Sequence, residues 1–384
     1  MEVYYDNAAT TKIIPEVREI MLKTLDMDYG NPSSMHTKGI DAERYIRYAR
    51  EVISKSLKCS ANEIIFTSGG TEANNLALLG ICEAKRRTGD HIITTSIEHA
   101  SVYNPVLRLE ELGYRVSFLG VDKNGIVDIE QLKHELCDDT ILVSIMAVNN
   151  EIGSVQPLSE ISDIIHEYNL SHKSNIAFHV DAVQAFGKYR LYPSRIGIDA
   201  MSISGHKIHG PKGSGALYVR NGVKIKPIIY GGGQEKSIRS GTENVTAIAG
   251  LGKAAEVAYD RLDDNVSVMK NIKDTFVQKA LEIDGVVNNS GNASHISSLS
   301  FEGVRSEVLL HALEDRGIYV SAGSACSSNH PAVSNVLKAI GMDEGLLDST
   351  LRFSFCEYNT VAEVEYTIGV LKDVLPMLRK YTRK

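Results

Sequence analysis

The sequence predicts an α/β protein built on a mostly parallel sheet with helices on both faces. Three observations carry that expectation. Short β-rich runs alternate with amphipathic helical stretches over roughly 150 residues. One run, TILVSIMAV at residues 140–148, is almost wholly apolar, as a strand buried on both faces must be. Polar residues with useful chemistry recur at the ends of the runs, where open parallel sheets gather their functional groups.

The elements follow in order. EIIFT (63–67) reads as a strand, followed by SGG and a helical TEANNLALLGICEAKRR. HIITTS (91–96) is the next strand, before a helix over about 101–112. RVSFL (115–119) is a strand and 128–136 a helix; the apolar strand 140–148 and a helix over 158–168 come next. Around residues 168–176 the run YNLSHKSNI reads as a lengthened surface loop. Strands at 176–180, 200–204 and 215–219 complete the series. After about Asn244 a long helical stretch leads into mixed short strands and helices, which predicts a second, smaller α+β unit.

Composition bounds the function. At ~150 residues per domain, 384 residues predict two or three domains. A hydrophobic content of 43% and a charged content of 23% are ordinary for a globular protein. The net charge of −7 offers no general attraction to nucleic acid or anionic membranes. The start, MEVYYDNAATTK, lacks the form of a secretory peptide, and no apolar run approaches the ~20 residues of a transmembrane helix. Five scattered cysteines without a C-x-x-C pair predict reduced thiols in the cytoplasm, with neither a disulfide framework nor a metal site.

The run ends carry the chemistry. Ser68-Gly69-Gly70-Thr71 precedes a helix, where backbone N–H groups and a hydroxyl can hold a phosphate. His99 follows the next strand and can stack on a flat ring or move protons; in isolation it reads as a surface histidine before an N-cap serine. Asp181 ends a buried strand with Gln184 three residues on, a carboxylate able to partner a pyridinium nitrogen or merely to cap. Ser204, His206 and Lys207 end another strand, and desolvation there would lower the lysine pKa and favour Schiff-base chemistry. GGGQEKSIRSGTEN (231–244) presents amides and Arg239 to an anion, or simply connects two domains. Cys326, within SAGSACSSN, sits among small polar residues, which predicts an exposed, mobile and reactive thiol. Arg352, in an apolar strand, wants a planar anion, either a substrate carboxylate or a buried ion-pair partner. Two motif matches are decoys. SGHK lacks the companion motifs of S-x-x-K acyl hydrolases. GLGKAA (250–255) lies in helix-forming sequence without a preceding strand, which fits close helix packing better than a dinucleotide.

Taken in order, these words resemble a pyridoxal-phosphate enzyme of the aspartate-aminotransferase fold, and more closely the cysteine desulfurases of the NifS/IscS type. YYDNAATT, GNPSSMH, FTSGGTEANN, EH, VNNEIGSVQP, FHVDAVQAFGK, SGHKIHGPKGSGALYV, GGGQEKSIRSGTEN, SAGSAC and LRFSF span the chain essentially end to end. The resemblance implies fold type I of the PLP-dependent transferases: a large domain (15–250) with a mostly parallel seven-stranded sheet, and a smaller α+β domain (1–14 and 251–384). It implies pyridoxal 5′-phosphate bound to Lys207 as a Schiff base, with His99 on its ring, Asp181 at its nitrogen and Gln184 at its hydroxyl. Gly70, Thr71, Ser204 and His206 would hold the phosphate, with Thr242 reaching over from a second subunit of a homodimer. Asn150, beside the cofactor, and Arg352 would bind the substrate amino acid, L-cysteine. Cys326 would take its sulfur for a sulfur-acceptor protein serving iron–sulfur assembly or thiolation, and no membrane or direct nucleic acid enters. The chain ends without the longer tail that IscS-like members use toward a scaffold, and Cys356 and Glu357 depart from the family pattern. The rivals are a selenocysteine lyase, against which SAGSAC argues, and a silent scaffold, against which Lys207, Asp181, Cys326 and Arg352 argue.

Overall fold

The computed structural model describes residues 1–322 and 334–380. Its centre is a seven-stranded sheet made from β2 (Ile64–Thr67), β3 (His91–Thr95), β4 (Arg115–Leu119), β5 (Thr140–Met146), β6 (Ala177–Asp181), β7 (Ala200–Ser204) and β8 (Gly215–Val219), in the order β2-β8-β7-β6-β5-β3-β4. Only β8 runs against its neighbours. Both faces are covered, and the alternation along single strands shows how. Ile64 and Phe66 pack with the helices Thr37–Leu57 and Leu158–His172, whereas Ile65 packs with Gly70–Lys85 and Ala100–Glu111. Every residue of β5 is buried, as its unbroken apolar run requires.

Local chemistry fixes the helix ends. The Asp128 carboxylate accepts the Gln131 N–H at 2.9 Å and starts the helix Ile129–Glu135. Two expectations need correction. The helix Leu158–His172 continues through the predicted loop, ending only where Lys173 turns left-handed at φ 53°. Its extra turn is held by the Asn169 side chain, which closes on Ile176 N and O at 2.8 and 3.1 Å. The long helix after Asn244 is two helices, Val245–Asp260 and Leu262–Ala280, broken at Arg261.

A second sheet lies beside the first: β9 (Val286–Asn288), β10 (Ile296–Phe301), β12 (Ser321–Ala322) and β13 (Thr350–Ser354), antiparallel in the order β12-β13-β10-β9. Its own apolar cluster packs Phe276 tilted against Phe353 at 4.6 Å and Tyr5 edge-to-face against Phe355 at 4.9 Å. The N-terminus joins this half. β1 (Val3–Tyr4) pairs in parallel with β11 (Ile318–Tyr319), and Asp6 bridges to Ser354. Residues 7–12 then cross to the C-terminal edge of the large sheet.

Candidate functional site

At that edge lies a cavity of about 420 Å³, lined from several strand ends, from the N-terminal crossing and from β12 and β13. Strand ends from β2 to β7 deliver Gly70 and Thr71, His99, Asn150, Asp181 and Gln184, and Ser204, His206 and Lys207. Arg352 enters from β13. Of the residues singled out in the sequence, the structure brings these ten to one cavity. Thr242 does not line it within the single chain and is exposed. Cys326 lies outside the described residues, although Ser321 and Ala322, the last residues described before it, line the cavity.

Each side chain has a local reason for its place. Gly69 takes φ 152° and ψ −177°, a conformation reserved for glycine, and turns the chain sharply into the helix Gly70–Lys85. A Cβ on Gly70 would meet Val183 Cγ2 at 2.6 Å, so the helix start can approach the Asp181 turn only as glycine. Asp181 is buried; its Oδ2 accepts from Asn74 Nδ2 at 2.8 Å and its Oδ1 from the Val183 N–H at 2.9 Å. Asn74 also donates to Ser101 Oγ at 2.8 Å, tying the carboxylate to the turn that holds His99.

His99 is not the surface residue that its isolated context suggests. It is itself the N-cap of Ala100–Glu111, its Nδ1 accepting the Ser101 N–H at 3.1 Å, which leaves the proton on Nε2. Burial lowers its pKa, and the Lys207 and Arg352 charges add to the lowering against the pull of Asp181, so the ring is neutral. The His206 pKa is likewise pushed down, to about 4, by burial and by the neighbouring lysines.

Lys207 closes a short 3₁₀ turn, Gly205–Lys207, and donates through Nζ to Ala8 O at 2.5 Å and Ala9 O at 2.7 Å. Its own carbonyl accepts from Lys188 Nζ at 2.9 Å. Arg352 shows the ion-pair alternative posed by its sequence: Nη2 pairs with Asp6 Oδ1 at 2.8 Å and Nη1 donates to Asn150 O at 2.9 Å, while buried Nε has no hydrogen-bond partner among the described residues. Arg239 does not face the cavity. It binds Glu72 at 2.7 Å, and Glu72 in turn accepts the Ser68 N–H at 2.9 Å, bracing the phosphate-type turn from outside.

Sequence reasoning passed over Asp6, Asn74, Glu98 and Lys188. All but Asp6 are buried. Asp6 and Asn74 stand inside the words YYDNAATT and FTSGGTEANN, and Glu98 is half of the EH pair, so position was the available signal. Apart from Thr95, three residues before Glu98, their partners lie tens to hundreds of residues away, so the sequence carries little trace of the pairing.

The class-V aminotransferase model matches residues 3–367. The chain belongs to the class-V aminotransferase family. Among its relatives, the cysteine desulfurase IscS of Dictyoglomus turgidum is 43% identical, covering 98% of this chain and 95% of its own length. A solved NifS-like protein superposes with a TM-score of 0.92 at 37% identity, covering 98% of this chain and all of its own. SspA in complex with cysteine superposes at 0.81 with 34% identity, covering 93% and 100%.

As a member of the class-V aminotransferase family, the chain is an enzyme whose cofactor is pyridoxal 5′-phosphate. The cavity residues fit that group. Ser204 Oγ and Gln184 Oε1 are buried and make no hydrogen bond among the described residues, so polar partners are waiting for a ligand. A buried carboxylate, a neutral imidazole, a lysine and a glycine-started helix N-terminus share the same cavity.

Proposed function

We propose that this enzyme takes the sulfur of L-cysteine onto Cys326 and releases L-alanine. The observation that carries the reading is that Lys207, Asp181, His99 and Arg352, drawn from four separate segments, converge on one cavity next to the strand leading to Cys326. When bound, pyridoxal 5′-phosphate supplies a carbonyl for amine attachment and an electron sink for the substrate Cα. Lys207 provides the attaching amine and then moves the proton at Cα. Asp181, held by Asn74 and Val183, would offer its carboxylate to the ring nitrogen, Gln184 would meet the ring hydroxyl and neutral His99 would face the ring. Gly70, Thr71, Ser204 and His206 would hold the phosphate, joined by Thr242 from a second copy of the chain.

Arg352 receives the substrate carboxylate alongside Asn150, which requires exchanging its Asp6 partner for the incoming anion. The Cys326 thiolate attacks the substrate sulfur. An S–S bond forms, the C–S bond breaks with its electron pair left on carbon, and a proton completes alanine. The resulting persulfide serves an acceptor protein in iron–sulfur assembly or thiolation, in the cytoplasm. No helix of the described residues is long and apolar enough to cross a membrane. Exposed Met27, Tyr29, Met35 and Tyr230 support a homodimer. Separate apolar clusters support two domains, with the boundary at the Arg261 break because Val245–Asp260 packs on the large domain.

The test is alanine and sulfide release from L-cysteine. Wild type forms both. Lys207→Ala loses both together with the yellow cofactor band; Cys326→Ala keeps the band and loses at least tenfold in sulfide release. Turnover at the wild-type rate by Cys326→Ala overturns the reading.

A further inference from the structure

Behind the cofactor cavity, on the far side of the Lys207 turn, three side chains outside the proposed chemistry meet. His209, Cys356 and Glu357 each turn one donor atom inward, and these atoms lie within 4.8 Å of one another. His209 Nδ1 donates to the Lys12 carbonyl at 2.8 Å, which turns Nε2 inward, where a cation would displace the proton that Nε2 shares with Glu357. Nε2 is 3.4 Å from Glu357 Oε2. Asn265 Nδ2 lies 3.5 Å from the other Glu357 oxygen and turns the carboxylate. His209 and Cys356 are buried, and a void of about 20 Å³ opens between the three, room for one water.

We propose that His209, Cys356 and Glu357 bind a divalent cation of the zinc class, with one water as the fourth ligand. Imidazole, thiolate and carboxylate together form the mixed N, S, O set that a borderline-soft metal takes, whereas magnesium and calcium want oxygen alone. Bonds of about 2.0–2.3 Å at tetrahedral angles place ligand atoms roughly 3.3–3.7 Å apart, which the His209–Glu357 separation already meets. The Nδ1–H to carbonyl bond is the outer contact that orients a ligating histidine. Lys188 is the opposing charge, buried and facing Cys356 and Glu357. It meets a neutral centre, since a thiolate and a carboxylate balance a dication. The cation would clip the Lys207 turn, the N-terminal crossing through Lys12, and the exit of β13. Neither the fold assignment nor the desulfuration reading bears on this site.

The test uses the holoprotein carrying Cys326→Ser, cleared with a chelator and titrated with Co²⁺. The expected result is one equivalent bound, with the d–d bands of a four-coordinate site and a thiolate-to-cobalt band, both removed by Zn²⁺. Cys356→Ser, its fold checked by its retained cofactor band, loses the thiolate-to-cobalt band. Glu357→Gln weakens binding at least tenfold, and Zn²⁺ raises the melting temperature of the parent but not of Cys356→Ala. No stoichiometric cobalt, or a thiolate band that survives Cys356→Ser, overturns the proposal.

Discussion

Glu98 shows how much a single residue can do out of sight. Its Oε1 accepts from Thr95 Oγ1 at 2.7 Å and from the Met146 N–H at 2.9 Å, while Oε2 is buried without a partner among the described residues. Burial pushes its pKa from 4.5 up to about 8, with the nearby Asp181 charge adding to the rise. A raised folded pKa means that the stabilisation is complete below about pH 4.5 and is lost as pH climbs toward 8. The slope in that window is about 1.4 kcal/mol per pH unit. Glu98→Gln copies the protonated shape and removes the titration. Its stability relative to wild type should therefore rise by about 1–3 kcal/mol between pH 5 and pH 8, read by urea denaturation at each pH. A pH-independent difference would show that Glu98 is already ionised in the fold.

Legibility at this scale follows from what a residue does. Asp181 and Lys207 could be picked out because a charged group at the end of an apolar run already announces chemistry. Asn74 and Glu98 could not, because each acts through a hydrogen bond to a group that only folding brings near.

Among the elements, the helix Val245–Asp260 rewards the reading of GLGKAA as packing. A Cβ on Gly252 would lie 2.7 Å from Ala49 Cα, and one on Gly250 would lie 3.0 Å from the Pro211 ring. Glycine there lets this helix settle onto Thr37–Leu57 backbone to backbone. Alanine would gain about 1 kcal/mol of helix propensity but must push the two helices apart, at about 1–3 kcal/mol. Gly252→Ala should therefore lower stability on balance. Gly369, midway along the helix Val361–Arg379, is the control, for nothing lies within 4 Å of its Cβ position. Gly369→Ala should raise stability by about 0.5–1 kcal/mol. Opposite shifts in thermal midpoint for the two variants would bear this out; equal shifts would not. Elements dominated by strand periodicity, such as β4 and β7, had legible limits, 115–119 and 200–204, as found. Helix ends were less legible. The continuation of Leu158–His172 depends on Asn169 closing onto Ile176, which no local propensity reveals.

Across the whole molecule, buried histidines set an acid limit. Burial pushes the His179 pKa down to about 3, and His295 falls well below its ordinary 6.5. Both are fully enclosed; His179 bonds Ser144 at 2.8 Å and Ser202 at 3.0 Å, and His295 has no partner at either nitrogen among the described residues. A depressed folded pKa gives stability that is complete above about pH 6.5 and lost as pH falls toward the folded value. Two such groups should remove about 3–4 kcal/mol between pH 6.5 and pH 5. His179→Gln should flatten that decline by about 1.4 kcal/mol per unit in a pH series of denaturation curves. A slope left unchanged would place the acid sensitivity elsewhere.

The crossing of residues 7–12 also imposes an order on assembly. These residues and the three before them are made hundreds of residues ahead of the partners that seat them: Tyr319 on β11, whose carbonyl accepts the Tyr5 N–H, and Arg352 and Ser354 on β13, which hold Asp6 and Ala8. The carbonyls of Ala8 and Ala9 that receive the Lys207 amine are thus without their support until β13 has been made. A nascent chain stalled before residue 350 would have the large sheet but an unfinished cavity. Loading of the cofactor should accordingly wait until β13 has emerged and paired with the crossing.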